Sequence, residues 1–167
     1  MRLQTVGFHE LYTEHAEAVF RFAYWLCGNE TDARDITSET FARVWTSDSE
    51  LRFETLRAYL FATARNLHLK NLKRRLRHEP IDEAIEDPSL RPDYLTEVRS
   101  ELQATLAAVQ SLPEIDRAVL MLRAHDDLPY EEIARITGLT LTTVKVKVFR
   151  ARAKLESLLN PERKESK

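Results

Sequence analysis

The chain has 167 residues, 43% of them hydrophobic and 31% charged, a balance too apolar for wholesale disorder and long enough for one domain or two small ones, each with its own core. Three glycines and six prolines argue against an all-β or collagenous chain. No run approaches the roughly 20 apolar residues of a membrane helix, and MRLQTVGFHELYTEH lacks a signal peptide's apolar centre, so a cytoplasmic protein without membrane insertion is expected.

The net charge of −2 hides segregation. Arg65, Lys70, Lys73, Arg74, Arg75 and Arg77 make one cationic block, and Asp82, Glu83, Glu86, Asp87 and Asp93 an acidic one interrupted by Arg91. Lys145, Lys147, Arg150, Arg152 and Lys154 make a second cationic block. Two basic surfaces joined by an acidic connector suggest contact with nucleic acid at two places.

Apolar spacing predicts a first helix over Phe8 to Cys27, with Phe8, Leu11, Tyr12, Val19, Phe22, Ala23 and Leu26 on one stripe. The lone cysteine, Cys27, falls on this face and cannot form an internal disulfide, so it reads as a packing residue. Gly28 and Asn29 end the helix, and Asn29 or Thr31 can cap the next, predicted over Asp32 to Trp45 with Ile36, Phe41 and Val44 or Trp45 inside. Thr46 to Phe53 is aperiodic and polar, a loop. A third helix follows from Thr55 to Arg77, with Leu56, Tyr59, Leu60, Thr63, Leu67, Leu72 and Leu76 as its apolar side and the first cationic block on its distal half. The stretch EPIDEAIEDPSLRPD reads as a linker. Beyond it come helices over Tyr94 to Leu112 and Glu114 to Arg123, the latter started by Pro113.

The C-terminal stretch Leu128 to Lys154 carries the clearest chemistry. Tyr130 to Thr137 forms a short helix ending at Gly138, where a left-handed conformation costs Gly little. Thr140 is placed to cap a second helix in which Val144, Val148, Ala151 and Leu155 share a buried face. The opposite arc holds Thr142, Thr143, Val146, Lys147 and Arg150, hydroxyls and cations suited to base edges and phosphates in a major groove. A solvated basic face on an ordinary pair of helices is the plainer alternative.

The expected fold is therefore all-α: two small helical domains over residues 1–78 and 94–160, joined by an acidic linker over 79–93, with a tail over 161–167. The C-terminal domain is expected to be a helix-turn-helix unit. His9, His15, His68, His78 and His125 have no Cys or His partners at ligand spacing, so no metal is expected, and no glycine-rich phosphate loop or nucleophile motif points to a cofactor or an enzyme. Asp35 and Glu39 could be imagined as an acid and a base, but neighbouring carboxylates on an exposed helix are usually solvated.

Four motifs in order resemble the extracytoplasmic-function (ECF) group of bacterial RNA polymerase sigma factors: DARDITSETFARVW, LRAYLFATARNLHLKNLKRR, LPEIDRAVLMLR and LPYEEIARITGLTLTTVKVKVFRARAKL. Together they cover about Phe8 to Leu159. The resemblance implies a factor without catalytic chemistry that binds core RNA polymerase and directs promoter-specific initiation. It implies docking on the clamp helices of the polymerase β′ subunit through Asp35, Ile36, Glu39 and Phe41, with the β flap as a second contact. Asp32 and Asp35 also suit the positive end of their own helix.

The resemblance further implies a minus-ten site for single-stranded DNA at Phe61, Arg65, Asn66, Lys70, Lys73 and Arg74, with the loop Thr46 to Phe53 receiving an extruded base. Phe61 and Tyr59 can equally be core residues. It puts Thr142, Thr143, Val146, Lys147 and Arg150 in the major groove of the minus-thirty-five element, with Lys145 and Arg152 on phosphates. Arg34, Ser38, Lys70, Val146 and Lys147 depart from the group's usual residues, and Lys147 lacks the two-pronged guanine contact of an Arg. The acidic linker is either a tether through a channel for nucleic acid or a solvated spacer. An anti-sigma partner is implied as well. A stand-alone helix-turn-helix regulator of duplex DNA would explain the C-terminal stretch alone.

Overall fold

The computed structural model describes residues 7–47, 56–77 and 96–164. The expected acidic linker and most of the expected loop after Thr46 lie outside these residues. Seven α-helices account for nearly all of the described chain: α1 (Phe8–Cys27), α2 (Glu30–Thr46), α3 (Leu56–Arg77), α4 (Thr96–Gln110), α5 (Glu114–Ala124), α6 (Tyr130–Thr137) and α7 (Leu141–Leu159), followed by a 3-10 turn at Pro161–Lys164. None is long and apolar enough to cross a membrane.

Helices α1, α2 and α3 pack on one another as an N-terminal bundle, and α4 to α7 form a C-terminal one. The left-handed Gly28 (φ 81°) closes α1, donating its N–H to Tyr24 O at 2.8 Å. Asn29 then caps α2, its side chain accepting from Asp32 N at 2.8 Å. Within α2 the buried Thr37 and Thr40 return their hydroxyls to Ala33 O and Ile36 O, so neither is an orphan in the core. Pro113 lies just before α5 rather than in its first turn, in an extended conformation (φ −52°, ψ 147°). Asp127 makes the turn between α5 and α6 with φ 51°, a region Asp tolerates better than most residues.

Helix α3 departs most from an amphipathic reading. Ala58, Leu60, Phe61, Ala62, Ala64, Arg65, Leu67 and His68 are all buried, nearly the whole circumference of its middle turns. The reason is contact on two sides: α1 and α2 cover one face, while α5 and α6 approach the other. Its far end is the reverse, with Leu76 79% exposed instead of packed. The two bundles therefore share one continuous apolar core, running from Leu11 and Phe22 through Phe61 to Val119 and Val148. The bundles pack on each other because α3 and the end of α1 present groups that α4 and α5 complement.

Candidate nucleic-acid interface

The helix-turn-helix is built as its spacing predicts. Gly138 ends α6 with φ 72° and donates its N–H to Ala134 O at 2.8 Å. Thr140 caps α7, its Oγ1 accepting from Thr143 N at 3.2 Å and lying 2.7 Å from the Thr143 hydroxyl. Val144, Val148 and Ala151 are buried, and Leu155 packs against the core edge. The entry to the motif is clamped from α5: Arg123 donates to Leu128 O at 3.1 Å and lies 4.8 Å from the centre of the Tyr130 ring. Lys145 sits 5.8 Å from that same ring, which draws its amine toward α6.

On the outer arc Thr142, Lys145, Val146, Arg150 and Arg152 are exposed and Thr143 is half-buried at the cap. Lys147 is displaced from the arc. Its Nζ donates to Asp116 Oδ1 on α5 at 2.8 Å, since position 147 falls on the flank of α7 that faces α5. The most exposed apolar side chain on the arc is Phe149, at 76%, which sequence reading passed over. It stands three residues after Val146 and seven after Thr142, opposite Val144 and Val148, so helical periodicity alone could have found it. An aromatic there can lie against a thymine methyl.

The first cationic helix is divided. Asn66, Lys70, Lys73 and Arg74 are exposed along the distal part of α3. Arg65 is only 8% exposed, and it forms a two-pronged pair with Glu114, Nε to Oε1 at 3.0 Å and Nη2 to Oε2 at 2.9 Å. Phe61 is fully buried with its ring 5.1 Å from that of Phe22 in a T-shaped contact. It is a core residue here, and no base could stack on it in this arrangement. The competing core role proves to be the one the packing uses.

On α2, Asp35 and Glu39 are exposed, Glu39 accepting from Arg43 at 2.6 and 2.9 Å. Ile36 and Phe41 are buried beneath them, Phe41 with its ring 5.0 Å from that of Tyr12. They hold α2 on α1 and are not part of its outer surface. Exposed aromatic surface lies at the helix end instead, where Trp45 meets Phe8 at 5.4 Å between ring centres. Asp32 is held below the usual carboxylate range: burial works to raise it, but the hydrogen bonds from Asn29 and Arg75 outweigh that. Burial pushes the Cys27 thiol up, which keeps it an unreactive packing group, and its Sγ donates to Asn29 O at 3.2 Å.

A helix-turn-helix with an open basic arc, beside a second basic helix, is the form of a nucleic-acid-binding protein. A sigma-70 region 2 family profile matches residues 11–78, and a sigma-70 region 4 profile matches residues 102–155. The chain is 32% identical over 139 residues to the ECF RNA polymerase sigma factor EcfG of Rhodopseudomonas palustris, covering 83% of this chain and 77% of that one. It is 38% identical over 158 residues to the ECF sigma factor SigE of Mycolicibacterium smegmatis, covering 90% of this chain and 60% of that longer protein. Among solved structures, the sigma factor RpoE of Bartonella quintana in complex with the anti-sigma factor NepR superposes with a TM-score of 0.74 at 26% identity, covering 92% of this chain and 96% of that one. CnrH in complex with the cytosolic domain of CnrY gives 0.68 at 26% identity, covering 92% and 88%. The chain belongs to the ECF sigma factors, a family of transcription initiation factors.

Proposed function

We propose that the chain binds core RNA polymerase and directs initiation at its own class of promoters, with the N-terminal bundle on polymerase and the minus-ten element and the C-terminal bundle on the minus-thirty-five element. The observation that carries this is the presence, in order in one chain, of both sigma-70 regions with the α7 arc open to solvent. Asp35 and Glu39 offer acidic groups for steering onto a basic surface of polymerase, and the exposed ends of α2 add Trp45 to them. Asn66, Lys70, Lys73 and Arg74 track the single-strand backbone. Thr142, Val146, Phe149 and Arg150 read the duplex, with Lys145 and Arg152 on phosphate.

Binding energy drives promoter melting only through groups that prefer the unpaired strand to the duplex. No catalytic step is assigned to the protein, and it works in the cytoplasm. An anti-sigma partner also belongs to this reading, supported by the complex with the anti-sigma factor NepR in which the structural relative RpoE was solved. Run-off transcription with bacterial core polymerase on randomised promoters tests it: enriched transcripts that depend on the protein are expected. Tight, specific duplex binding by the free protein, with no effect on core polymerase, would favour a stand-alone regulator instead.

A further inference from the structure

The seam between the bundles holds a small cavity whose chemistry the promoter-facing helices leave unused. It measures about 150 Å³ and lies where α1, α2 and α3 meet the end of α4 and the start of α5. That is well below the roughly 300–1,000 Å³ of a site for a drug-sized ligand, and suits a small ion. Two of the residues lining it carry buried nitrogens with no hydrogen-bond partner among the described residues, His68 Nε2 and Arg117 Nε. His68 Nε2 is a donor in one neutral tautomer and in the imidazolium, and Arg117 Nε is always one. Unmatched buried donors are costly, and two beside one cavity call for a common acceptor.

The wall is fixed, and its acceptors are already engaged. Arg117 Nη1 donates to Leu26 O and, at 2.8 Å, to Gln110 Oε1, and its Nη2 donates to Leu112 O at 3.2 Å, so of its three nitrogens only Nε is left over. Asp32 Oδ2 accepts from Asn29 Nδ2 and Arg75 Nη2, and Asn71 Oδ1 accepts from Arg74 Nη2. Water is a poor match to such a wall, because it brings two donors of its own. Charge leads to the same ligand. Arg75 and Arg117 face the single carboxylate of Asp32 among the lining residues, while the neighbouring Arg65 and Glu114 neutralise each other. Burial is the main cause of the lowered His68 pKa, about 4; Glu114 opposes it, and Arg117, Arg65 and Arg75 deepen it. A positive field that disfavours a further cation at His68 favours an anion beside it.

We propose that the cavity is a binding site for a small tetrahedral oxyanion of the phosphate class, held by His68 Nε2 and Arg117 Nε within and by Arg75 at the mouth. The donors stand on separate helices, α3 and α5. They suit an acceptor with oxygens on several sides better than the flat edge of a carboxylate, which one Arg fork satisfies. Asn71, one turn before Arg75 on α3, adds its amide to the rim. Arg75 is the solvent-facing member, with 60% of its side chain exposed, so the ion can enter and leave without the helices parting. The folded chain binds it and the unfolded chain does not, which makes the ligand stabilising.

The test titrates the full chain with inorganic phosphate at constant ionic strength set by chloride. Thermal melting reads stabilisation, and the His68 imidazole resonances, assigned by their loss in H68Q, read the site. Phosphate is expected to raise Tm saturably and to move the His68 signals with the same midpoint; sulfate should do likewise and chloride should not. R75Q should shift the midpoint about tenfold upward, one charge-assisted hydrogen bond being lost, and N71D, which puts a carboxylate on the rim, should abolish the response. R77Q removes an exposed cation of the same helix that does not line the cavity, and should bind as the parent does. Glycerol 3-phosphate separates the sources: response to phosphate alone upholds the site for the free ion, and response to both upholds it for a phosphate ester as well. A Tm gain without movement at His68, or equal weakening in R75Q and R77Q, would show general charge screening and overturn the proposal. Displacement of phosphate by a dT oligonucleotide would overturn it too, making the cavity part of the DNA surface.

Discussion

Helices α3 and α7 are both basic and of similar length, yet the protein uses them in opposite ways. On α7 the cations Arg150 and Arg152 point to solvent and the buried stripe is narrow, only Val144, Val148 and Ala151 being fully inside. On α3 the middle turns are buried on nearly every side, and the cation there, Arg65, is bound to Glu114. The difference is one of neighbours. α7 packs on α4, α5 and α6 of its own bundle, while α3 lies where the two bundles meet. A cation count along a helix therefore measures potential for nucleic acid, and its position in the packing decides whether that potential is free or held.

The largest effect should come from breaking this contrast at its aromatic residues. Phe61→Ala removes a fully buried ring and its contact with Phe22, and is expected to cost about 3–5 kcal/mol. Phe149→Ala removes a ring that is 76% exposed and should change stability by no more than about 0.5 kcal/mol. Urea denaturation of the two variants checks the pair. Equal losses would show that Phe149 is covered in solution.

Acid should strain the α3 side and not the α7 side. His68 is 3% exposed, and its Nε2 has no hydrogen-bond partner among the described residues. Burial lowers its pKa from 6.5 to about 4; Glu114 opposes that shift, and Arg117, Arg65 and Arg75 add to it. Asp32 on α2 also faces it, as does the thiol of Cys27 on the rim of a small cavity between the bundles that His68 and Arg117 also line. Because the folded protein resists protonating His68, the unfolded chain binds more protons between pH 6.5 and about 4. Stability is then lost as pH falls through that window, by roughly 3 kcal/mol at most. Asp126, raised by burial, works the other way at the acid end, since folded protein takes up its proton first. His68→Gln should flatten the fall between pH 6.5 and about 4; an unchanged pH profile would place the titration elsewhere.

Arg150→Ala tests the open side. Position 150 is exposed on the arc, so the substitution should leave folding within about 0.5 kcal/mol while costing about 1–3 kcal/mol in binding to a selected promoter duplex, if it contacts a base edge. Relaxed preference at one base pair in a gel-shift selection would mark a base contact. A uniform loss with a shallower salt dependence would mark a phosphate contact. Lys147, tied to Asp116 at 2.8 Å, should show a smaller loss of affinity and a measurable loss of stability.

How much of this could be read from the residues alone follows the same divide. The helix-turn-helix was legible because its signals are local: Gly138 for a left-handed end, Thr140 for a cap, and a stripe of period 3.6 on α7. Helix α1 was legible for the same reason, down to its bounds. The roles of Phe61, Arg65 and Lys147 were not, because each depends on a partner 31 to 49 residues away, or, for Phe61, on a ring of another helix. Ile36 and Phe41 mark the same boundary. Alternation of acids and apolar residues along α2 does not tell which side of the helix a neighbour will cover. Phe149 differs, since helical periodicity alone suffices to put it on the arc, three residues after Val146.

The smallest effect worth measuring lies at the start of α7. Thr140 Oγ1 accepts from Thr143 N at 3.2 Å and meets the Thr143 hydroxyl at 2.7 Å, so it satisfies one of the first-turn donors that the helix cannot satisfy itself. Thr140→Ala should cost about 1 kcal/mol of stability. Because the buried face of α7 starts at Val144, the loss should be local, with amide exchange faster at Thr142 and Thr143 and unaltered from Val148 onward. Duplex affinity should fall by less than for Arg150→Ala, since fraying disorders two reading positions without removing a cation. If Thr140→Ala instead weakened the seam and loosened α3 to exchange, the two basic helices would be coupled more tightly than their separate packing implies, and the contrast between a held helix and a free one would have to be redrawn as one cooperative unit.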